Sequence, residues 1–386
     1  MKKKKILFVI NRLNVGGVEK SLLGLLNALP SERYDIDLGV IEAEGGFKQF
    51  VPPHVRLFEI PSLARNKDIL LKRLGALKST IRQNPFKAFK MLPLYLYSQV
   101  KRTLIPFYNG FVSKDELPRY DVAVTYQGPS ELLDFYISRC VDAERKYCWI
   151  HFDIDQFFVR ERSVKITYPS YERIFIVSET AKERFDKRFP DFSDKTEVLL
   201  NIIDRESDLR LADEPNVFIP PLDSISVLTV GRICNQKAQD IALKAAVLMK
   251  SRGLKFHWYF VGGGDDIDKL ERMARGLGLS EDVTFVGPCS NPYPFMKNCG
   301  VYVQPSRYEG FCIAIGEAKL FGVPIVATDF VGAREQLHDV ANAQIIPEPD
   351  PEVIADAVLK AARMGRVEPP KAGIPPQIDR LVDIFG

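Results

Sequence analysis

Short apolar runs alternate with helix-period segments along nearly the whole chain. Residues 5–10 form an apolar run suited to a strand buried on both faces, and Leu22, Leu23, Leu25, Leu26 and Leu29 then fit one face of an amphipathic helix. Further strands are predicted at 36–41, 55–60, 120–126, 146–153 and 173–178. A second series is predicted at 226–232, 254–262, 283–287, 301–303, 323–328 and 343–346, with helices over 267–277 and 351–363. Strand and helix in this alternation predict an α/β protein of doubly wound parallel sheets. Ligands of such sheets bind beyond the carboxyl ends of the strands, so the loops there are the places to look for chemistry.

A length of 386 residues exceeds one ordinary core and predicts two domains. Between 204 and 223 the chain turns polar and carries Pro215, Pro220 and Pro221, which reads as an interdomain linker. Composition, with 46% hydrophobic and 27% charged residues, is that of a soluble globular protein. The net charge of +3 gives no ground for general polyanion binding. No run reaches the roughly 18 to 20 apolar residues that span a bilayer, and the lysine-rich start lacks a signal-peptide core, so a cytoplasmic location is expected. Six cysteines without a Cys-x-x-Cys pair predict reduced thiols.

Residues 62–110 depart from the alternation. They hold ten Lys or Arg against one acid, Asp68, interleaved with Phe86, Phe89, Leu92, Leu94, Tyr95, Leu96 and Tyr97. Cations with aromatic rings suit the headgroup level of an anionic membrane, whereas a solvated helix face with inward leucines is the plainer account. No nucleic-acid motif accompanies the charge.

Candidate chemistry gathers at 305–319. The run reads as strand, Gly-containing loop and helix, an arrangement that aims unpaired N–H donors outward and suits an anion such as phosphate. Glu309 in the loop and Glu317 about two turns into the helix cannot hold phosphate, but as strong acceptors they suit hydroxyl groups on either side of it. A sugar and a ribose joined by a diphosphate would match; a capping Glu and a surface Glu on an ordinary helix would be the alternative. Arg232 and Lys237 follow another strand and can both meet a diphosphate, unless they are merely surface cations. Gly16 and Gly17, before the leucine-rich helix, and Gly262 in the turn Gly262-Gly263-Gly264 allow backbone to approach a ligand closely, or helix packing alone. His151, at a predicted strand end, could hydrogen-bond a sugar hydroxyl or a neighbouring carbonyl. Asp153-Ile154-Asp155 imitates a metal-binding Asp-x-Asp, but its surroundings do not suit that use, and no metal is expected.

Glu309 through Glu317, with seven residues between, resembles the Glu-x7-Glu signature of the retaining, family-4 type glycosyltransferases of the GT-B fold (glycosyl transferases group 1). Val230-Gly231-Arg232 with Lys237, Phe260 to Gly264, and Val283 to Gly287 fall in the order of that family, so the resemblance covers most of residues 225–365. It implies two facing Rossmann-like domains with an interdomain cleft: 1–203 for the acceptor, with 62–118 a basic, membrane-facing insertion; 204–370 for the nucleotide sugar; and 371–386 returning to the first domain. It further implies transfer of a sugar from a nucleotide diphosphate sugar, UDP most of all, with no cofactor and no metal. Arg232, Lys237, Gly310, Phe311 and Cys312 would meet the leaving diphosphate, Glu309 the donor sugar, Glu317 the ribose, and the loop of Gly16-Gly17 the donor phosphate and the acceptor. His151 takes the place of the family's cleft histidine beside the sugar. Ile202 and Ala238 stand where the family commonly has glycine. With the basic insertion, the expected acceptor is a lipid-linked saccharide of bacterial cell-surface polysaccharide synthesis (capsule, exopolysaccharide or lipopolysaccharide), reached peripherally at the inner face of the cytoplasmic membrane. A soluble acceptor, a binding subunit without turnover, and a nucleotide-sugar epimerase of the same fold are the rivals.

Overall fold

Apolar runs that cannot alternate in and out become parallel strands covered on both faces. In the computed structural model, which describes residues 2–214, 223–369 and 376–386, they build two all-parallel sheets in two separate units. The first unit comprises Met1–Asn14, Leu26–Leu200 and Gln377–Gly386; the second comprises Val15–Leu25 and Asn201–Pro376.

The first sheet contains β1 (Lys4–Ile10), β2 (Tyr34–Val40), β3 (Val55–Glu59), β4 (Tyr120–Gly128), β5 (Ala143–Ile150), β6 (Arg173–Ile176) and β7 (Thr196–Val198), in the order β3-β2-β1-β4-β5-β6-β7. Register is set by pairs such as Ile6 with Ile36 on one side of β1 and with Val122 on the other. The chain winds outward from β1 to β3 and then returns to lay β4 on the opposite side. The winding therefore reverses between β1 and β4, where open α/β sheets bind ligands. The last helix, Pro376–Phe385, belongs to this unit: Arg145 donates to the carbonyls of Ile384 and Phe385, at 2.6 Å each, and the Phe385 ring stacks on Tyr147.

The second sheet contains β8 (Ile225–Val230), β9 (Phe256–Val261), β10 (Val283–Gly287), β11 (Val301–Gln304), β12 (Ile325–Thr328) and β13 (Ala343–Ile346), in the order β10-β9-β8-β11-β12-β13. Its winding reverses between β8 and β11. One face packs Val227, Trp258 and Phe260 against the helices Gln239–Ser251 and Pro351–Met364. The other packs Leu228, Tyr302 and Ile325 against Tyr293–Asn298, Ile313–Lys319 and Ala333–Leu337.

Two sequence expectations change. The polar stretch read as a linker begins with a helix, Arg205–Ala212, because Asp204 caps it by accepting from the Ser207 N–H at 3.1 Å and Asp208 on its inner face is buried. Pro215, Pro220 and Pro221 lie outside the described residues, as do residues 370–375 of the proline-rich tail. In addition, the helix Gly17–Ala28 directly follows β1, yet its first turns belong to the second unit. Lys20 pairs with Asp208 at 2.9 Å, Ser21 donates to Asn201 at 2.7 Å, and a Cβ on Gly24 would stand 2.7 Å from the Ile202 carbonyl oxygen.

Candidate active site

Beyond β8 and β11, the two strands flanking the reversal in the second sheet, the chain makes two loops that bond to each other. After β8, Gly231 takes a left-handed φ of 151°, and Gly262 at the end of β9 lies so close that a Cβ there would stand 2.1 Å from the Gly231 carbonyl oxygen. Glycine at 262 is thus required by contact as well as by conformation. A single 3-10 turn, Asn235–Lys237, then carries the lysine back over Gly231. After β11, Arg307 ties its loop to that turn: its guanidinium forks onto Asp240 with two 2.8 Å bonds and donates to the Asn235 carbonyl at 2.6 Å.

Between these loops lies a buried ion pair. Lys237 Nζ is 2.6 Å from Glu309 Oε1. The same oxygen accepts from Ser306 Oγ at 2.6 Å, Ser306 in turn accepts from Gln304 Nε2 at 2.8 Å, and Gln304 accepts from the Tyr302 hydroxyl at 2.8 Å. Gln236 donates to Glu309 Oε2 at 3.4 Å. Burial by itself lowers the pKa of the Lys237 ammonium, but the Glu309 charge and hydrogen bond outweigh it, with Cys312 adding to the rise, and the net shift is upward. The pair is therefore a fixed cation and a fixed carboxylate at a sheet's ligand edge. Arg232 is exposed beside it and has no carboxylate at ion-pair distance among the described residues.

Glu317 occupies a second group. It is buried on the helix Ile313–Lys319 and accepts from the Tyr293 hydroxyl at 2.8 Å. Lys20 Nζ stands 5.0 Å above the Tyr293 ring. Burial first, then the Asp208 charge, pushes the Glu317 carboxyl up to about 7 against the opposing pull of Lys20. Helix Ile313–Lys319 starts one residue after the predicted 310–312, since Cys312 caps it in a left-handed conformation, φ 61°. Burial pushes the Cys312 thiol up to about 12, so its sulfur stays protonated near neutral pH. Phe311 packs against Gly332, and its carbonyl accepts from Gln336.

At the second unit's amino-terminal piece, the Glu19 carboxylate lies over Gly16, where a Cβ would stand 2.5 Å from Glu19 Oε2 and would push that flexible side chain aside; Gly17 lies against Ile313. Burial raises Glu19 to about 6, while Arg232 opposes the shift. The structure thus brings Gly16, Gly17, Arg232, Lys237, Gly262, Glu309, Gly310, Phe311, Cys312 and Glu317 into one unit. His151 belongs to the other. It follows β5, buried, with its ring 4.5 Å from that of Tyr126 and nearly parallel to Trp149. Asp153 is buried in an ion pair with Arg184, and Asp155 N donates to it at 3.1 Å, so this Asp-x-Asp carboxylate has a structural partner.

Residues 213–370 match the family described as glycosyl transferases group 1. Over that span the chain is similar to the group 1 glycosyltransferases. The activity of that family is glycosyl transfer, and the Lys237–Glu309 pair, Arg232 and Glu317 all lie within the matched span. Similarity extends beyond that span. An uncharacterized glycosyltransferase of Haemophilus influenzae is 22% identical over 343 residues, covering 86% of this chain and 83% of its own. The lipopolysaccharide 1,6-galactosyltransferase of Salmonella typhimurium is 25% identical over 249 residues, 62% of this chain and 64% of its own. Among solved structures, Anabaena HepE in complex with UDP and glucose superposes with a TM-score of 0.67 over 99% of each chain at 17% identity. The architecture is accordingly that of the two-domain GT-B glycosyltransferases.

Sequence reasoning missed the supports of the site: Gln304, Ser306, Arg307 with Asp240, Tyr293, and Lys20 with Asp208. Gln304 and Ser306 had a signal, as polar residues closing an apolar strand. Lys20 and Asp208 had none, because they lie 188 positions apart.

Proposed function

We propose that this protein is a retaining, metal-independent glycosyltransferase that moves a sugar from a nucleotide diphosphate sugar, UDP-linked, to a hydroxyl of a lipid-linked saccharide in bacterial cell-surface polysaccharide synthesis. The observation that carries the reading is the buried Lys237–Glu309 pair, held by Ser306 and Gln236 at the reversal of the second sheet inside the span similar to the group 1 glycosyltransferases. Lys237 and Arg232, with the backbone N–H groups at 310–312, neutralise the diphosphate as it leaves, the task a divalent cation performs elsewhere. Glu309 accepts hydrogen bonds from the donor sugar, and Glu317 from the ribose. Gly16 and Gly17 bring backbone to the donor phosphate, Gly262 shapes the nucleotide-side turn, and His151 contacts the sugar.

A lipid-linked acceptor at the inner face of the cytoplasmic membrane is supported by the helix Pro85–Val100. Phe86, Phe89, Leu92, Leu96, Tyr97 and Val100 are exposed along it, while Ala88, Met91 and Ser98 face inward. Lys90 sits over the Phe86 ring and Lys101 over the Tyr97 ring. An apolar stripe edged by lysines has the make-up of a helix lying in an anionic interface.

The test is transfer from a panel of labelled nucleotide sugars into solvent-extractable lipid, with purified protein and membranes of its own host. One donor should label lipid, and Glu309→Gln should abolish that label while leaving UDP binding intact. Unchanged turnover in the variant would remove Glu309 from its role; donor binding without lipid label would turn the acceptor into a soluble one.

A further inference from the structure

The first sheet also has a reversal, between β1 and β4, and a cavity opens there. It measures about 350 Å³, within the range of small-molecule sites. Asn11 follows β1 at its floor, and Pro129 and Ser130 follow β4. Arg160 and Ser163, on the chain that leaves β5, form one wall. The opposite wall comes from the basic stretch, through Leu70, Leu71, Arg73 and Tyr108. The stretch that carries the exposed apolar helix thus also supplies the wall of a ligand-edge cavity.

Charge in the cavity is unevenly satisfied. Glu131 is fully engaged: Oε1 accepts from the Leu104 N–H at 2.8 Å and from Ser163 Oγ, and Oε2 from Arg160 at 3.0 Å. Asp134 accepts from the Ser130 N–H at 2.9 Å and the Tyr171 hydroxyl at 2.8 Å. Arg73 has no carboxylate at ion-pair distance among the described residues, and its buried Nε lacks a hydrogen-bond partner. It also stands in a backbone conformation, φ 52° and ψ −123°, that costs any L side chain and that glycine adopts freely. The Tyr108 hydroxyl hydrogen-bonds the Arg73 side chain but carries no charge; an arginine kept where glycine would be relaxed, facing a cavity with no anion beside it among the described residues, points to an oxyanion as its counter-charge. On the rim Phe158 is 82% exposed, its ring 5.0 Å from the Arg160 guanidinium, and offers an apolar face beside the two cations.

We infer that the cavity between the ends of β1 and β4 is a binding site for an anionic glycan, a sugar bearing a phosphate or carboxylate, held by Arg73 and Arg160 with Phe158 against the ring. The inference rests on the transferase reading in one respect: in that reaction the anionic glycan is the acceptor. Its test is independent of turnover.

Binding of glucose 1-phosphate, methyl glucuronide and the neutral methyl glucoside to the full-length protein would be followed by ligand-observed NMR titration, alongside UDP. At least one anionic probe should bind tenfold or more tightly than the glucoside. Preference for the phosphate would point to a sugar phosphate such as a lipid diphosphate carries, preference for the glucuronide to an acidic sugar. Arg73→Gly, which relaxes the backbone while giving up the bond to the Tyr108 hydroxyl, should remove that preference and leave UDP binding unchanged, the unchanged UDP binding showing that the variant is folded; Arg73→Lys should restore part of the preference. Arg252→Ala, which deletes a surface cation paired with Asp356 in the other unit, controls for net charge and should change nothing. Equal binding of charged and neutral probes, or an anion preference that survives Arg73→Gly, would overturn the site. Anion binding sensitive to Arg73 in a protein that transfers no sugar would uphold the site and overturn the transferase reading instead.

Discussion

Lys237 and Glu309 show how one ion pair can serve both fold and chemistry. The glutamate is buried, so removing the lysine strands a charge that Ser306 and Gln236 only partly solvate. Breaking such a pair from one side costs about 3–5 kcal/mol, whereas replacing both members by neutral groups of similar volume costs far less. Lys237→Ala should therefore lower stability by about that amount in urea unfolding. The double variant Lys237→Met with Glu309→Gln should recover most of it and remain inactive. If Lys237→Ala unfolds at the wild-type midpoint, the pair does not hold these loops. In the sequence, both residues stood out by motif order, but their direct contact did not: a spacing of 72 positions carries no information about 2.6 Å.

Elements were legible where their environment is uniform. Parallel strands have the same apolar surroundings on both faces, so β1, β4, β8 and β11 announce themselves as continuous apolar runs. Helix Arg205–Ala212 did not, because its formation is decided by a cap at Asp204 and by Lys20 reaching Asp208 from another element. Helix Pro85–Val100 falls between. Its composition showed cations and aromatics together, while only the structure distinguishes the buried Met91 side from the exposed Phe86 and Phe89 side. Replacing Phe86 and Phe89 by Glu should lower partition onto phosphatidylglycerol vesicles by at least about tenfold, since inserting a Phe side chain is worth roughly 1.5–3 kcal/mol and 1.4 kcal/mol is tenfold. Both rings are exposed, so the thermal midpoint should not move. Unchanged vesicle binding would leave the stripe without a membrane role.

At the scale of the whole molecule, four buried carboxyls act in one direction, Asp208 among them, raised by burial against the pull of Lys20. Burial raises Glu19 to about 6, Asp134 to about 7 and Glu317 to about 7. A carboxyl whose folded pKa lies above its unfolded one stabilises fully below the unfolded value, near 4, and loses that contribution as pH rises through 6 and 7. Asp68 and Asp240, shifted downward, act oppositely only under more acidic conditions, whereas the single His257, lowered by burial, opposes the decline below its ordinary 6.5 and is outnumbered by the carboxyls. Thermal midpoints should fall from pH 5 to pH 8, and Asp134→Asn or Glu317→Gln should flatten the decline; a rise over that range would contradict the burial argument. The sequence by itself determined two doubly wound sheets, because apolar periodicity is local and each strand carries it within a few residues. It also determined the order of the motifs in the second sheet, since each lies at the end of its own strand. Tertiary structure alone decided that the first turns of helix Gly17–Ala28 join the second unit, that Gln304, Ser306 and Gln236 brace Glu309, and that Arg73 lines a cavity with no carboxylate at ion-pair distance among the described residues. Those facts depend on which distant residues share a low-dielectric space, and such neighbours are set by packing rather than by any pattern along the chain.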